Sequence, residues 1–252
     1  MSKAAELANL IGNINAGGGG VNRNVIINGA MNVAQRATSV TGAGDYGTAS
    51  KIGYLTCDRW TIGANNTDTR YTISQDSSAP SGFANSLKLD CTTIDSGPYS
   101  SEEIVLTQKI EGQNVQGFCK GTSGAKPFAV SFYVKADSSK TYVAELFDAD
   151  NTRHVCSTFS VTAAWTRVEI SFPADTTGAF NDDNGDSLYL NIWLQAGTDF
   201  TSGTLPSTWA SKTNTNRAAG ISRFGAALSD TFFITGVQIE IGQNPTEFEH
   251  EP

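Results

Sequence analysis

The chain has 252 residues, enough for one large β domain or two small ones with a substantial core. Its 25 glycines and its low charged fraction of 17% suit many short strands joined by polar turns, and they suit helix bundles poorly. A net charge of −8 would repel nucleic-acid phosphates, so we expect no DNA or RNA partner. The sequence contains no apolar run of transmembrane length and begins without the apolar core of a signal peptide. We therefore expect neither membrane insertion nor secretion.

Residues 1–20 are predicted to form a separate N-terminal attachment segment with a glycine linker. The apolar residues that recur there at helical spacing are Leu7, Leu10, Ile11 and Ile14. A single short amphipathic helix is marginal by itself, so it must pack on its own body, on sister copies or on a larger assembly. Gly17–Gly20 then end the helix as a flexible linker. The interpretations that stay open are a frayed terminus and, alternatively, an anchor or the seed of a trimeric bundle.

In residues 21–252, apolar and polar side chains alternate with a period of two residues. Strict alternation of apolar and polar side chains marks five runs: 128–134, 155–161, 168–172, 188–194 and 237–241. Less regular strand candidates lie at 25–27, 59–62, 70–74 and 86–90, and residues 39–47 are expected to be a loop. Polar turns separate the runs. The sequence therefore predicts an all-β domain, a jelly-roll-like two-sheet sandwich, preceded by a short N-terminal helix.

Cys57, Cys91, Cys119 and Cys156 are far apart and form no C-x-x-C pair. A chain without a signal peptide is normally made in a reducing compartment, which favours four free thiols packed as small apolar residues. Zinc is disfavoured because the thiols lack ligand spacing.

Several motifs are distinctive. The segment 24–36 reads NVIINGAMNVAQR and is followed by Asp58-Arg59-Trp60, while the middle of the chain contains VSFYVKA at 130–136 and the end contains VQIEIG at 237–242. These motifs resemble those of bacteriophage tail-fibre and related virion proteins that have a carbohydrate-binding-module-like β-sandwich, of marine or cyanobacterial phage type. The resemblance covers nearly the whole chain. The physical interpretation of Asp58-Arg59-Trp60 is fold stabilisation.

The resemblance implies a phage virion structural protein, a tail fibre or receptor-binding protein that mediates host attachment. It implies a homotrimer, contacts with other virion proteins of tail or capsid, and a host surface glycan as ligand. The protein would be synthesised in the host cytoplasm and end in the phage particle. A capsid decoration (cement) protein and a glycan-cleaving tailspike are the alternatives.

Some polar-side positions of the central strands could form a ligand-binding face. These are Tyr133, Lys135, Tyr189, Asn191, Trp193 and Gln195. If their two strands are neighbours in one sheet, aromatic rings and amides share a surface, which is the chemistry of a sugar platform. Alternatively, the face packs against a sister subunit or is covered by the N-terminal region.

Asp182, Asn184 and Asp186 have the every-other-residue spacing of a calcium loop, but the glycine falls one place early and no bidentate Glu follows. A polar turn is favoured there, and no metal or cofactor is expected. The sequence has no G-x-S-x-G, H-E-x-x-H or Walker motif. Glu102 and Glu103 are adjacent, so on a strand they would point to opposite faces. We expect no enzymatic activity.

Overall fold

The computed structural model describes residues 24–44 and 51–250, together with Lys3. Apart from Lys3, the predicted N-terminal helix and glycine linker of residues 1–20 lie outside the described residues, and so do the four positions proposed for attachment, Leu7, Leu10, Ile11 and Ile14. No helix in the described part combines the length and the apolar character needed to span a bilayer.

Twelve strands are assigned within the described residues. They are β1 (Ser39–Ala43), β2 (Trp60–Asn65), β3 (Arg70–Asp76), β4 (Ser86–Thr93), β5 (Glu103–Glu111), β6 (Phe128–Ala136), β7 (Lys140–Asp148), β8 (Arg153–Val161), β9 (Thr166–Phe172), β10 (Asp186–Ala196), β11 (Ala210–Ser211) and β12 (Thr231–Ile241). The helices described are single turns: α1 (Gly112–Val115), α2 (Thr198–Thr201) and two 3₁₀ turns, Gln116–Phe118 and Asn214–Asn216.

The strands form two six-stranded antiparallel sheets. Sheet A has the order β1-β3-β4-β12-β6-β9, and sheet B has the order β11-β8-β7-β10-β5-β2. Strands from distant parts of the chain are neighbours in both sheets, as in β12 beside β4 and β10 beside β5. The predicted all-β, two-sheet sandwich is confirmed.

The core lies between the sheets and is built by the predicted alternation. Leu188, Leu190, Ile192 and Leu194 of β10 point into it from sheet B, and all four are fully buried. The apolar members of β6 from Phe128 to Val134 are fully buried on the facing side. Burying each such side chain contributes about 1.5–3 kcal/mol relative to leaving it exposed.

A β-bulge at Gly236 changes which alternate residues of β12 face the core. Phe232 and Ile234 face the core before it, and Val237 and Ile239 face the core after it. The register with β6 shifts between Thr235 and Gln238, and Gly236 has a φ of 61°. The residue in this left-handed conformation is glycine because a side chain would be strained there.

The segment 24–36, here called the signature segment, joins the two sheets. The expected strand at 25–27 is not formed, because residues 24–26 have no regular structure and a turn begins at Ile27, whereas the expected loop at 39–47 contains β1. Gln108 of sheet B accepts from the backbone N–H of Ile27 at 2.8 Å and donates to its carbonyl at 2.9 Å. On the other side, the Asn24 amide donates to the carbonyl of Val237 in sheet A at 3.1 Å. The segment therefore stabilises the sandwich.

Asp58-Arg59-Trp60 packs against the signature segment. The Trp60 indole donates to the Asn28 carbonyl at 3.2 Å, and the Asn28 amide donates to the Asp58 carbonyl at 2.9 Å. Arg59 pairs with Glu111 at 2.7 Å. The expected structural role of the motif is thus supported by its contacts.

All four cysteines are free. Cys57, Cys91 and Cys156 are buried as expected, whereas Cys119 is exposed. Burial raises the pKa of the Cys57 thiol to about 12, so this group stays protonated.

Candidate functional site

The six residues predicted to share one ligand-binding face do not share it. Tyr133 and Lys135 lie on β6 in sheet A, whereas Tyr189, Asn191 and Trp193 lie on β10 in sheet B. The two strands are not neighbours, because β6 pairs with β12 and β9 while β10 pairs with β5 and β7. The predicted common platform is therefore wrong.

Gln195 is also displaced from the predicted parity. The register of β10 with β5 shifts between Trp193 and Gln195, so Gln195 pairs with Ile104, a core residue. Its side chain is buried between the sheets, where its amide nitrogen donates to Thr67 at 2.8 Å and to Glu102 at 3.0 Å. Gln195 is a structural bridge.

Trp193 lies on the outer face of sheet B, but it is only 1% exposed. Residues 197–230, here called the covering segment, run between β10 and β12 over this part of the sheet. Trp193 and Val143 form a second apolar cluster with Ala218 and Phe200 of the covering segment. Trp193 is thus covered by a part of its own chain that neither expected alternative, a sister subunit or the N-terminal region, had named.

Beneath the covering segment lies the buried carboxylate of Glu145, on β7. Arg217 donates to both of its oxygens, at 2.9 and 2.8 Å. Further donors are His154, Asn191 and Trp193, each at 2.9 Å. The two oxygens of this carboxylate thus accept five hydrogen bonds, and such pairing is the condition for tolerating a buried charge.

Burial alone would raise the pKa of Glu145, but the hydrogen bond from His154 and the charge of Arg217 outweigh it and lower the pKa to about 2. Glu145, His154 and Cys156 each have a side-chain atom that could ligate a metal ion, and these three atoms lie within 4.8 Å of one another. A metal ion would have to displace Arg217 from the carboxylate, so we assign this cluster a structural role.

The far end of the same sheet face is only partly covered, since Arg217 of the covering segment lies 5.6 Å from the centre of the Phe147 ring. There Tyr189 and Phe147 are adjacent cross-strand neighbours, with ring centroids 5.6 Å apart in an edge-to-face arrangement. Both rings are partly exposed. The ammonium of Lys109 lies 4.9 Å from the Tyr189 ring centre, and that of Lys212 lies 5.5 Å from the Phe147 ring centre. We call these four residues the open aromatic patch.

Asn191 borders the open aromatic patch but is 4% exposed. Its side-chain oxygen accepts from the Thr107 hydroxyl at 2.7 Å, and its amide donates to Glu145. Asn191 therefore supports the patch from beneath and does not present a free amide.

Tyr133 and Lys135 belong to a different aromatic cluster, on the outside of sheet A. The ring of Phe83 lies 5.3 Å from that of Tyr133 and 5.0 Å from that of Phe248. The Lys135 ammonium lies 4.5 Å from the centre of the Phe233 ring and donates to the Ser78 hydroxyl at 2.9 Å. This cluster fastens the C-terminal end of the chain to the sheet.

The weak metal candidate, Asp182, Asn184 and Asp186, is an exposed turn. The Asp183 carboxylate accepts from the backbone N–H of Gly185 at 2.9 Å, as in a polar turn, and Asp186 pairs with Lys109 at 2.9 Å. These contacts support the turn interpretation.

A concave site lies where the two ends of the described chain meet. A cavity of about 530 Å³ separates the signature segment from residues 248–250, and we call it the terminal groove. Ile27, Ala30, Val33 and Phe248 are among its lining residues. Ile27 and Val33 are 42% and 43% exposed, which is high for branched apolar side chains.

Four residues of these sites are not among those predicted from the sequence: Phe147, Lys212, Glu145 and Arg217. The outward position of Phe147 could have been predicted from the sequence. Along β7, Tyr142, Ala144 and Leu146 face the core, and Phe147 lies on the other side of the strand with Val143 and Glu145. The Glu145–Arg217 pair could not have been predicted, because its members are 72 positions apart and no motif links them.

The fold and these surfaces define a two-sheet β-sandwich with one covered and one open region on its outer sheet-B face. No protein-family model matches the sequence, and no curated protein matches it.

Several solved structures have a similar chain path. They include a CBM4 structure, at 13% identity and a TM-score of 0.40 over 86% of this chain and 99% of that chain. The enzymatically active domain of tailspike protein 4 of bacteriophage CBA120 has 12% identity and a TM-score of 0.42, over 87% of this chain and 21% of that chain. A family 11 carbohydrate-binding module from Clostridium thermocellum, in complex with a mixed-linked tetrasaccharide, has 10% identity and a TM-score of 0.37, over 85% and 99%. We draw no conclusion about ligand or activity from likenesses at this level.

Proposed function

We propose that this chain is a non-enzymatic, glycan-binding structural protein of a bacteriophage particle, acting as a tail fibre or receptor-binding protein. The observation that carries the glycan-binding part is the open aromatic patch of Phe147, Tyr189, Lys109 and Lys212. Its partly exposed rings offer apolar surface to the C–H groups of a sugar, and its ammonium groups can donate hydrogen bonds to hydroxyls.

The phage assignment is supported by the resemblance of the signature segment and of Asp58-Arg59-Trp60 to virion proteins. Each copy would bind a host surface glycan weakly, and several copies in a homotrimer would bind together through high effective concentration. The other partners would be virion proteins. The place of action would be the phage particle, with synthesis in the host cytoplasm.

The non-enzymatic part of the proposal is supported by the state of Glu145. This carboxylate lies under the covering segment and is fully engaged by Arg217 and its other donors. It is therefore not available for acid-base chemistry on a glycosidic bond.

The glycan-binding proposal is tested by adsorption of the purified protein to host surface polysaccharide. The double variant Phe147→Ala, Tyr189→Ala should bind roughly tenfold or more weakly, since each aromatic contact is worth about 0.5–1.5 kcal/mol. Tyr99→Ala is the matched control, because Tyr99 is 52% exposed and belongs to the loop before β5. Unchanged adsorption by a folded double variant would refute the patch as the binding site.

The virion role is tested by quantifying the protein in purified particles. Tens of copies or fewer per particle support a fibre, whereas hundreds would indicate the capsid decoration protein considered as an alternative. Release of sugar products from host polysaccharide would contradict the non-enzymatic assignment.

A further inference from the structure

We propose that the terminal groove is the docking site for the apolar stripe of this chain's own N-terminal segment, Leu7, Leu10, Ile11 and Ile14. The groove would hold that stripe in the free protein, before any assembly partner binds it.

The groove favours an apolar occupant because several polar side chains in its lining already have partners within the protein, namely Asn24, Asn28 and Arg59, which pairs with Glu111. The Asn28 amide donates to the Val33 and Asp58 carbonyls, both at 2.9 Å, and its oxygen accepts from the Val33 N–H at 3.0 Å. The Asn24 oxygen accepts from the backbone N–H groups of Ile26 and Ile239, both at 3.0 Å. What remains for a ligand is mainly hydrocarbon from Ile27, Val33 and Phe248.

A sugar or an ion would find few free hydrogen-bonding groups on this surface. An apolar side chain, by contrast, would bury the exposed parts of Ile27 and Val33, which is favourable because it removes hydrocarbon from water. The chemistry of the groove thus fits a row of leucine and isoleucine side chains.

The position of the chain's N-terminal end identifies the occupant. The continuous described stretch of the chain begins at Asn24, which itself lines the groove. Nine residues lie between Ile14 and Asn24, so the two positions are at most about 35 Å apart when this stretch is fully extended. The stretch includes Gly17–Gly20, which the sequence predicts to be a linker. A short linker gives the stripe an effective concentration on the order of millimolar at its own groove. The same chain is therefore favoured over a second copy.

Disulfide trapping tests the proposal in the full-length chain. Cys119→Ser first removes the exposed native thiol. Val33→Cys is then combined, one at a time, with Leu7→Cys, Leu10→Cys, Ile11→Cys or Ile14→Cys, and the proteins are oxidised mildly. We expect an intrachain disulfide in at least one stripe variant, seen as faster migration in non-reducing electrophoresis and as a cross-linked peptide by mass spectrometry.

Two matched controls accompany the trapping. Asn9→Cys with Val33→Cys places the thiol on the opposite side of the predicted helix, and Leu10→Cys with Leu228→Cys uses an exposed residue of the covering segment. Both should cross-link at least tenfold less. Equal cross-linking in the controls, or no cross-link in any stripe variant, would overturn the proposal. Interchain disulfides alone would also overturn it, because they would place the stripe in the groove of another copy.

A second measurement does not depend on introduced cysteines. Deletion of residues 1–15 should increase amide hydrogen exchange in residues 24–33 by several fold and leave exchange in β10 unchanged. Equal exchange in the deleted and intact chains would contradict docking. Glycan binding by the open aromatic patch should persist in either case, so the two proposals can fail separately.

Discussion

Arg217 donates to both carboxylate oxygens of Glu145, at 2.9 and 2.8 Å, across 72 positions of sequence. The pair joins the covering segment to β7. The Arg217 guanidinium also lies 4.7 Å from the Trp193 ring centre. The same side chain therefore pairs with the buried carboxylate and packs on the apolar cluster of Trp193. The boundary between the covered and the open region of sheet B is set by this pair.

Replacing Arg217 by Met should destabilise the protein by about 3–5 kcal/mol, because it leaves the Glu145 charge buried without its ionic partner. The free energy of unfolding in urea measures this. Arg36→Met is the control, since the Arg36 side chain is 58% exposed and its contact with Asp58 is long, at 3.7 Å; its change should stay within about 0.5 kcal/mol. Similar losses in both variants would contradict the account.

Glu145 should make stability depend on pH in the acid range. Its pKa falls from an ordinary value near 4.5 to about 2 on folding, so its contribution is complete above about pH 5 and is lost as the pH falls towards 2. Urea unfolding between pH 7 and pH 3 should show this loss in the native chain. The same series on Glu145→Gln should be flatter, and an identical slope would argue against a charged Glu145.

Lys120 is the centre of a second buried ion cluster. Its fully buried ammonium contacts the carboxylates of Asp148 and Asp175, the latter at 3.1 Å, and donates to the Thr177 carbonyl at 2.9 Å. Lys120→Met should cost about 3–5 kcal/mol in urea unfolding, because the buried Asp148 carboxylate loses its cation and Asp175 keeps only Arg153. Lys51→Met, at an exposed site, should cost less than about 0.5 kcal/mol.

Gly236 is required both by its backbone and by its neighbours. A Cβ there would lie 2.6 Å from the Phe83 ring and 2.9 Å from the Tyr133 ring. Gly42 has nearly the same φ, 65° against 61°, and a Cβ there would meet nothing within 4 Å. Gly42→Ala should therefore cost only backbone strain, about 1–2 kcal/mol, and Gly236→Ala should cost clearly more. Equal decreases of the melting temperature in the two variants would show that the Phe83 and Tyr133 rings move aside freely.

Alternation along the chain predicted β6, β8, β9, β10 and the second half of β12 together with their buried sides, but it did not predict β5 or β7. The inward residues of β6, β8 and β10 are those that the period of two selects, because one face of each strand packs in the core. The bulge in β12 was not predicted, although the sequence carries a signal for it: the apolar parity changes from Phe232 and Ile234 to Val237 and Ile239 with a glycine between them.

The candidate site was harder to predict. Alternation along a strand predicts which face of the sheet a side chain occupies, but it does not predict which strand lies beside it. Tyr133 and Tyr189 have equivalent outward positions on their strands, yet they lie on opposite sheets. The covering segment could not be foreseen either, since its contact with Trp193 depends on the long-range pair Glu145–Arg217. Burial of an outward position is a property of the tertiary fold.

The direct test of the central claim is a comparison of glycan binding between the two sheets. Binding to host surface polysaccharide should fall roughly tenfold or more in Phe147→Ala, Tyr189→Ala, while Tyr133→Ala, on sheet A, should bind as the native chain does. Circular dichroism and urea unfolding establish that the variants are folded. Loss of binding in Tyr133→Ala with full binding in the double variant would contradict the assignment of the site to sheet B.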